Sequence, residues 1–217
     1  MHDLRKMAGI AGIIWGVSNA VLGFSTGQPP ELDAPGGEIR QFLTDGRGTY
    51  LAALAVFGLT LPLLFVFAAE LGRRLRRDGH DAAADVLQPA VATLVTGMAF
   101  GYVVMVPFIF GDGLGSAATA GMLRYAYVLT FVMTMIGGIG GATLMASVSV
   151  GQKGAGAIIS RLLAGVVMVA AVGGLVSPAV AMLGGLGLLV VLVWAAVVGI
   201  ALLREPAAET DPSFATA

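Results

Sequence analysis

Runs without an ionisable side chain set the pattern of this chain. No Asp, Glu, Lys or Arg occurs in residues 7–30, 48–69, 86–111, 125–152 or 162–203. A helix of about 20 apolar residues crosses the ~30 Å of hydrocarbon in a bilayer, so each of the first four runs predicts one span. The fifth has 42 residues. As one helix it would measure about 63 Å, twice the hydrocarbon thickness, so it must fold back. Gly184, Gly185 and Gly187 near its middle are the expected turn. The pattern thus predicts an all-α, polytopic transmembrane bundle of six spans near 7–24, 49–71, 86–110, 123–150, 158–182 and 186–203, with a flexible tail over 205–217. The first run follows Arg5 and Lys6 as a signal peptide would, but no A-x-A site succeeds it, so it is expected as an uncleaved first helix.

The polar segments add orientation. With six spans, alternate connections collect Arg5, Lys6, Arg73, Arg74, Arg76, Arg77, Lys153, Arg161 and Arg204 on one side, and only Arg40, Arg47 and Arg124 on the other. Basic residues accumulate on the cytoplasmic side, so both termini are expected there. Phe24, Tyr50, Phe108, Phe110, Tyr125 and Tyr127 fall near the outer helix ends, where an interfacial aromatic belt belongs. Trp15 and Trp194 lie near mid-span and read as packing residues.

The longest connection, residues 25–48, begins with Pro29, Pro30 and Pro35. It continues into a short segment, 37–45, in which Ile39, Phe42 and Leu43 recur at i, i+3, i+4. This predicts an amphipathic helix on the outer surface. It inserts Phe42 and Leu43 at the membrane interface, lies as a lid over the bundle, or is a passive surface connector.

Composition narrows the chemistry. Only 12% of the residues are charged and 57% are hydrophobic, too few charges to cover a water-soluble domain of this size. A net charge of −1 with no basic helix face gives no footprint for nucleic acid. The absence of cysteine excludes disulfides, thiol catalysis and thiolate metal sites. His2 and His80 both lie outside the apolar runs, which excludes an intramembrane haem or histidine proton relay. No span carries the paired acids or activated nucleophile that catalysis needs, and Gly111–Gly115 lacks the lysine of a phosphate-binding loop. No catalytic residue, cofactor or metal site is expected.

Small residues four apart, Gly12/Gly16, Gly97/Gly101, Gly137/Gly141 and Ala195/Gly199, supply faces for close helix contact. They predict a tight bundle, a homo-oligomer or contact with other membrane subunits. Pro62, Pro107 and Pro178 lie in or near the ends of spans and read as ordinary membrane-helix prolines. Arg73, Arg74, Arg76 and Arg77 form the densest charge cluster. Each basic residue beside an anionic leaflet contributes about 1 kcal/mol of attraction, which makes the cluster a candidate lipid contact. Glu70, three and four residues before Arg73 and Arg74, is expected to pair with them. Asn19 is the most polar side chain within a span, a candidate for solute contact or for one interhelical hydrogen bond. Arg124 and Asp112 are an expected pair at the outer side.

Taken together, Ala-Gly-Ile-Ala-Gly at residues 8–12, the outer proline-acidic connection, Thr44-Asp45-Gly46-Arg47 and Leu71-Gly72-Arg73-Arg74-Leu75-Arg76 resemble uncharacterised six-span membrane proteins of actinobacteria. The resemblance covers the first ~85 residues. It implies the same topology in a bacterial inner membrane and names no activity. Two function classes follow from the chain. One is a protein acting by helix packing, as an accessory subunit or as a binder of lipid or another apolar molecule. The other is a channel or transporter for a small neutral or apolar solute.

Overall fold

The structure, a computed structural model, describes residues 2–27, 29–109 and 119–204. Among these the chain is all-helical, in seven helices: α1 (His2–Ser25), α2 (Gly36–Asp45), α3 (Arg47–Arg77), α4 (Asp81–Ile109), α5 (Ala120–Gly151), α6 (Gly154–Val176) and α7 (Pro178–Arg204). All but α2 are long and apolar enough to cross a bilayer. Phe110, Gly111–Gly115, Asp112 and the 205–217 tail lie outside the described residues.

Helix faces reveal which solvent the chain is built for. On α6, Ala157, Ser160, Ala164, Val167 and Ala171 are buried. Ile158, Ile159, Leu162, Val166, Val169 and Val172 are exposed. Small residues face in and branched apolar residues face out, the reverse of an aqueous helix. Lipid tails give no drive to hide leucine, so helices associate where small residues let backbones approach. The chain is a multi-pass membrane protein.

The helices are arranged in a closed circuit. α1 packs between α3 and α7, α3 contacts α4, α4 lies along α5, and α5 meets both α6 and α7. Two interfaces are especially close. A Cβ built on Gly9 would come within 2.9 Å of the Gly199 carbonyl, and one on Gly12 within 3.2 Å of the Ala195 carbonyl, so α1 and α7 meet almost backbone to backbone. On α5, a Cβ at Gly140 would meet the Ala90 carbonyl of α4 at 2.7 Å, and Gly97 approaches Gly137 in the same way. The small-residue pairs read from the sequence therefore serve intramolecular contacts. Gly12/Gly16 lies against the Ala195–Gly199 stretch of α7, Gly97 meets Gly137, Gly101 faces Thr130 and Thr134 of α5, and Gly141 turns to Val191 of α7.

The expected turn at Gly184, Gly185 and Gly187 is corrected. All three lie within α7, and the chain reverses at Ser177, whose backbone is extended (φ −136°, ψ 121°). The cause is Pro178. A proline disfavours the helical conformation in the residue before it and is well suited to open a helix itself. The final spans therefore divide at 177 rather than between 182 and 186. Gly184 serves contact instead, since a side chain there would run into the thioether of Met135 on α5.

At the other end of the bundle α3 closes in a glycine-based cap. Gly79 adopts φ 79°, its N–H donates to the Arg76 carbonyl, and the His80 N–H donates to the Leu75 carbonyl at 2.8 Å. This end also holds the starts of α1 and α4 and the end of α7. α2 lies at the opposite end, joined to α3 through Gly46 alone.

Candidate functional site

In the α2 half of the bundle the helices leave an interior space. α1 makes no substantial contact with α4 or α5 among the described residues, and a cavity of about 630 Å³ occupies the gap. Its floor is set by Asn19 on α1, Met98 on α4, Thr134 on α5 and Leu192 on α7. From the start of α5 to Thr134 is about 21 Å at 1.5 Å per residue, so the space reaches from the α2 end to mid-span. Beyond the floor the bundle is filled by Leu64, Phe67, Leu94 and Leu144, none with any exposed surface.

The roof is α2 and the connection leading to it. Ile39 and Leu43 are buried in a small core with Met105, Ile109, Leu123, Ala126 and Tyr127, and Phe42 and Leu43 line the cavity. The apolar face of α2 thus turns onto the protein. Leu43 is 3% exposed and packs with residues of α4 and α5, which corrects the interfacial alternative for that side chain; Phe42 packs against the same core and keeps part of its surface exposed. Gly36 at the start of α2 brings the two backbones together, since a Cβ there would stand 2.7 Å from that of Ala120. A second tie is the Tyr127 hydroxyl, which donates to the Pro30 carbonyl at 2.6 Å.

Aromatic rings form the wall. Tyr102 on α4 stands edge-on to Tyr50 of α3, with centroids 5.8 Å apart, and 5.6 Å from Phe57. Tyr127 stacks edge-on with Phe131 at 5.1 Å. Tyr50 and Tyr127 were expected in the aromatic belt, yet they face the cavity and its roof. Phe24 and Tyr125 are exposed, at 68% and 73%, and Phe24 also lines the cavity. Sequence reading missed Tyr50, Tyr102, Tyr127, Met98 and Met105 as cavity residues. The one available signal was angular, because Tyr125 and Tyr127 lie about 200° apart around a helix.

Asn19 is the polar feature of the floor and is almost wholly buried. Its Nδ2 donates to the Trp15 carbonyl at 2.8 Å and to Thr60 Oγ1 of α3 at 3.0 Å. The Thr60 hydroxyl in turn donates to the Val56 carbonyl at 2.7 Å. Thr134 donates to the Thr130 carbonyl at 2.9 Å, and Thr130 to that of Ala126 at 3.1 Å. No charged side chain is among the described residues lining the cavity.

The charged candidates lie elsewhere. Glu70, 5% exposed, pairs with Arg73 and with Arg74, the latter at 3.2 Å, as its spacing predicts. Arg76 pairs with Asp85 of α4 at 2.9 Å on the surface, and Arg77 is exposed. This cluster sits at the end of the bundle away from the cavity, with much of its charge already facing acids. Arg124 is exposed in the first turns of α5; its expected partner Asp112 is outside the described residues. Trp194 is held by a 3.0 Å bond from its indole N–H to Ser160 of α6.

No protein-family model matches the chain, and no curated protein or solved structure is similar to it.

Proposed function

We propose that this membrane protein binds an apolar molecule, a membrane lipid or a lipid-like compound, in the cavity beneath α2. The observation that carries the reading is the cavity itself. It has the size of a small-molecule site, apolar and aromatic walls, a few neutral polar groups at its floor and a helix across its top. The small-residue faces that favoured an accessory-subunit role are occupied within the chain, so ligand binding ranks ahead of subunit contact. In this reading the protein sits in a bacterial plasma membrane with both termini in the cytoplasm, which the asymmetry of Arg and Lys supports. The Arg73–Arg77 region faces the anionic leaflet there.

The test is extraction in native lipid particles followed by mass spectrometry of what co-purifies. Wild-type protein is expected to carry an apolar species enriched over bulk lipid. Gly185→Leu, which places a side chain where no atom lies within 4 Å at the cavity wall, is expected to lose it. A co-purified composition equal to bulk lipid in both proteins overturns the proposal.

Transport of a small neutral solute is the second reading, and the one-sided shape of the cavity favours it. A space open in one half and sealed in the other by Leu64, Phe67 and Leu144 is the arrangement that alternating access requires. Solute flux across reconstituted vesicles separates the two: a binder gives none.

A further inference from the structure

We infer that the cavity selects an uncharged ligand carrying a hydroxyl or similar hydrogen-bond donor, which it seats at the floor against Asn19 Oδ1. The inference rests on the binding reading above and specifies the class of ligand.

The argument is one of proton accounting. Amide oxygen and nitrogen look alike by shape, but here the partners fix them. The Trp15 carbonyl only accepts, so the Asn19 atom against it is the nitrogen. Thr60 has one hydroxyl proton, directed to the Val56 carbonyl, so it accepts from the same nitrogen. Both Nδ2 protons are thereby used within the protein. Oδ1 has no partner among the described residues, and it belongs to a side chain that is 4% exposed and lines the cavity. Thr134, its neighbour on the floor, likewise directs its proton to a backbone carbonyl. Lone pairs, and no free N–H or O–H, are what these two residues offer.

A floor of acceptors in an apolar space discriminates by donor content. At the floor an O–H satisfies Asn19 Oδ1, whereas an ether, ester or ketone oxygen seated there brings two lone pairs together and leaves both unpaired; the hydroxyls of Tyr50 and Tyr102, which can donate, belong to the wall nearer α2. A cation is disfavoured, because no carboxylate among the described residues faces the space. The ligand class is therefore a neutral lipid alcohol, with its hydrocarbon against Met98, Met105, Phe131 and Leu189.

The test uses two isomers of equal mass and similar shape, dodecanol and methyl undecyl ether. Each is titrated separately into the purified full-length protein, and the bound fraction is read by native mass spectrometry. The alcohol is expected to bind about tenfold more tightly than the ether, the worth of one buried hydrogen bond. Asn19→Leu, which keeps the branched heavy-atom shape of Asn without its polar atoms, is expected to bind both equally, at the affinity of the ether. Saturable binding of both isomers with equal affinity to the wild type overturns the donor selection and leaves the cavity as a ligand site. Saturable binding of neither overturns the binding reading as well. The wild-type comparison stands whether or not the variant folds.

Discussion

Tyr127 donates a hydrogen bond to the Pro30 carbonyl across 97 positions of sequence. The phenol sits on α5 under α2, and Pro30 lies in the connection that delivers the chain from α1 to α2, so one bond fastens the roof to the wall. A buried neutral hydrogen bond is worth about 1 kcal/mol. Tyr127→Phe is expected to keep the fold while speeding amide exchange over residues 30–45 by about five- to tenfold. Unchanged exchange there means that the roof is held by the Ile39 and Leu43 core alone.

Glycine at the two closest helix interfaces has a different effect from glycine facing lipid. Gly140→Ala must push α5 away from the Ala90 carbonyl and is expected to cost about 1–3 kcal/mol. Gly165→Ala on exposed α6 meets no atom within 4 Å and is expected to gain up to about 1 kcal/mol from helix propensity. Thermal unfolding in detergent should move in opposite directions for the two variants. A shift of the same sign in both contradicts the interface.

The two acid partners of the arginine cluster separate in the same assay. Glu70 is buried and holds two guanidinium groups, so Glu70→Gln is expected to cost about 1.5–3 kcal/mol. Asp85→Asn breaks an exposed pair, 55% and 71% accessible on its two sides, and is expected to cost under about 1 kcal/mol. Urea or thermal titration of both variants checks the order. Equal losses show that Glu70 contributes no more than a surface charge.

Trp194 and Ser160 join α7 to α6 by a single side-chain bond. A double-mutant cycle with Trp194→Phe and Ser160→Ala is expected to give a coupling of about 0.5–1.5 kcal/mol. Strict additivity marks the indole as a packing residue only, the role its mid-span position suggests in sequence.

The spans were legible because exclusion of charge from a bilayer is a one-dimensional rule. Five runs empty of Asp, Glu, Lys and Arg became six helices, the longest dividing in two, and the i, i+3, i+4 spacing of Ile39, Phe42 and Leu43 became α2. Pairing of Glu70 with Arg73 and Arg74 was legible for the same reason, since helical geometry alone brings them together. The reversal at Ser177 was misread because two punctuation signals competed. Glycines that allow a turn also allow close packing, and Gly184 and Gly187 lie against α5 and α6, while Pro178 made the break. The cavity was illegible. It arises where α1 fails to meet α4 and α5, a property of helix placement that no single helix encodes. Asn19 stood out by polarity, but its partner Thr60 lies 41 positions away, on a helix whose rotation the sequence leaves open.

Gly46 ends α2 and begins α3 with no residue between them. α2 is therefore a door with a fixed jamb at one edge and the Tyr127–Pro30 catch at the other. Ten residues make it about 15 Å wide, so a turn of a few tens of degrees at the single glycine lifts its free edge by several ångströms. In the binding reading, opening at the edge nearest Pro30 would admit a molecule between the end of α1 and the start of α5, and not through α3.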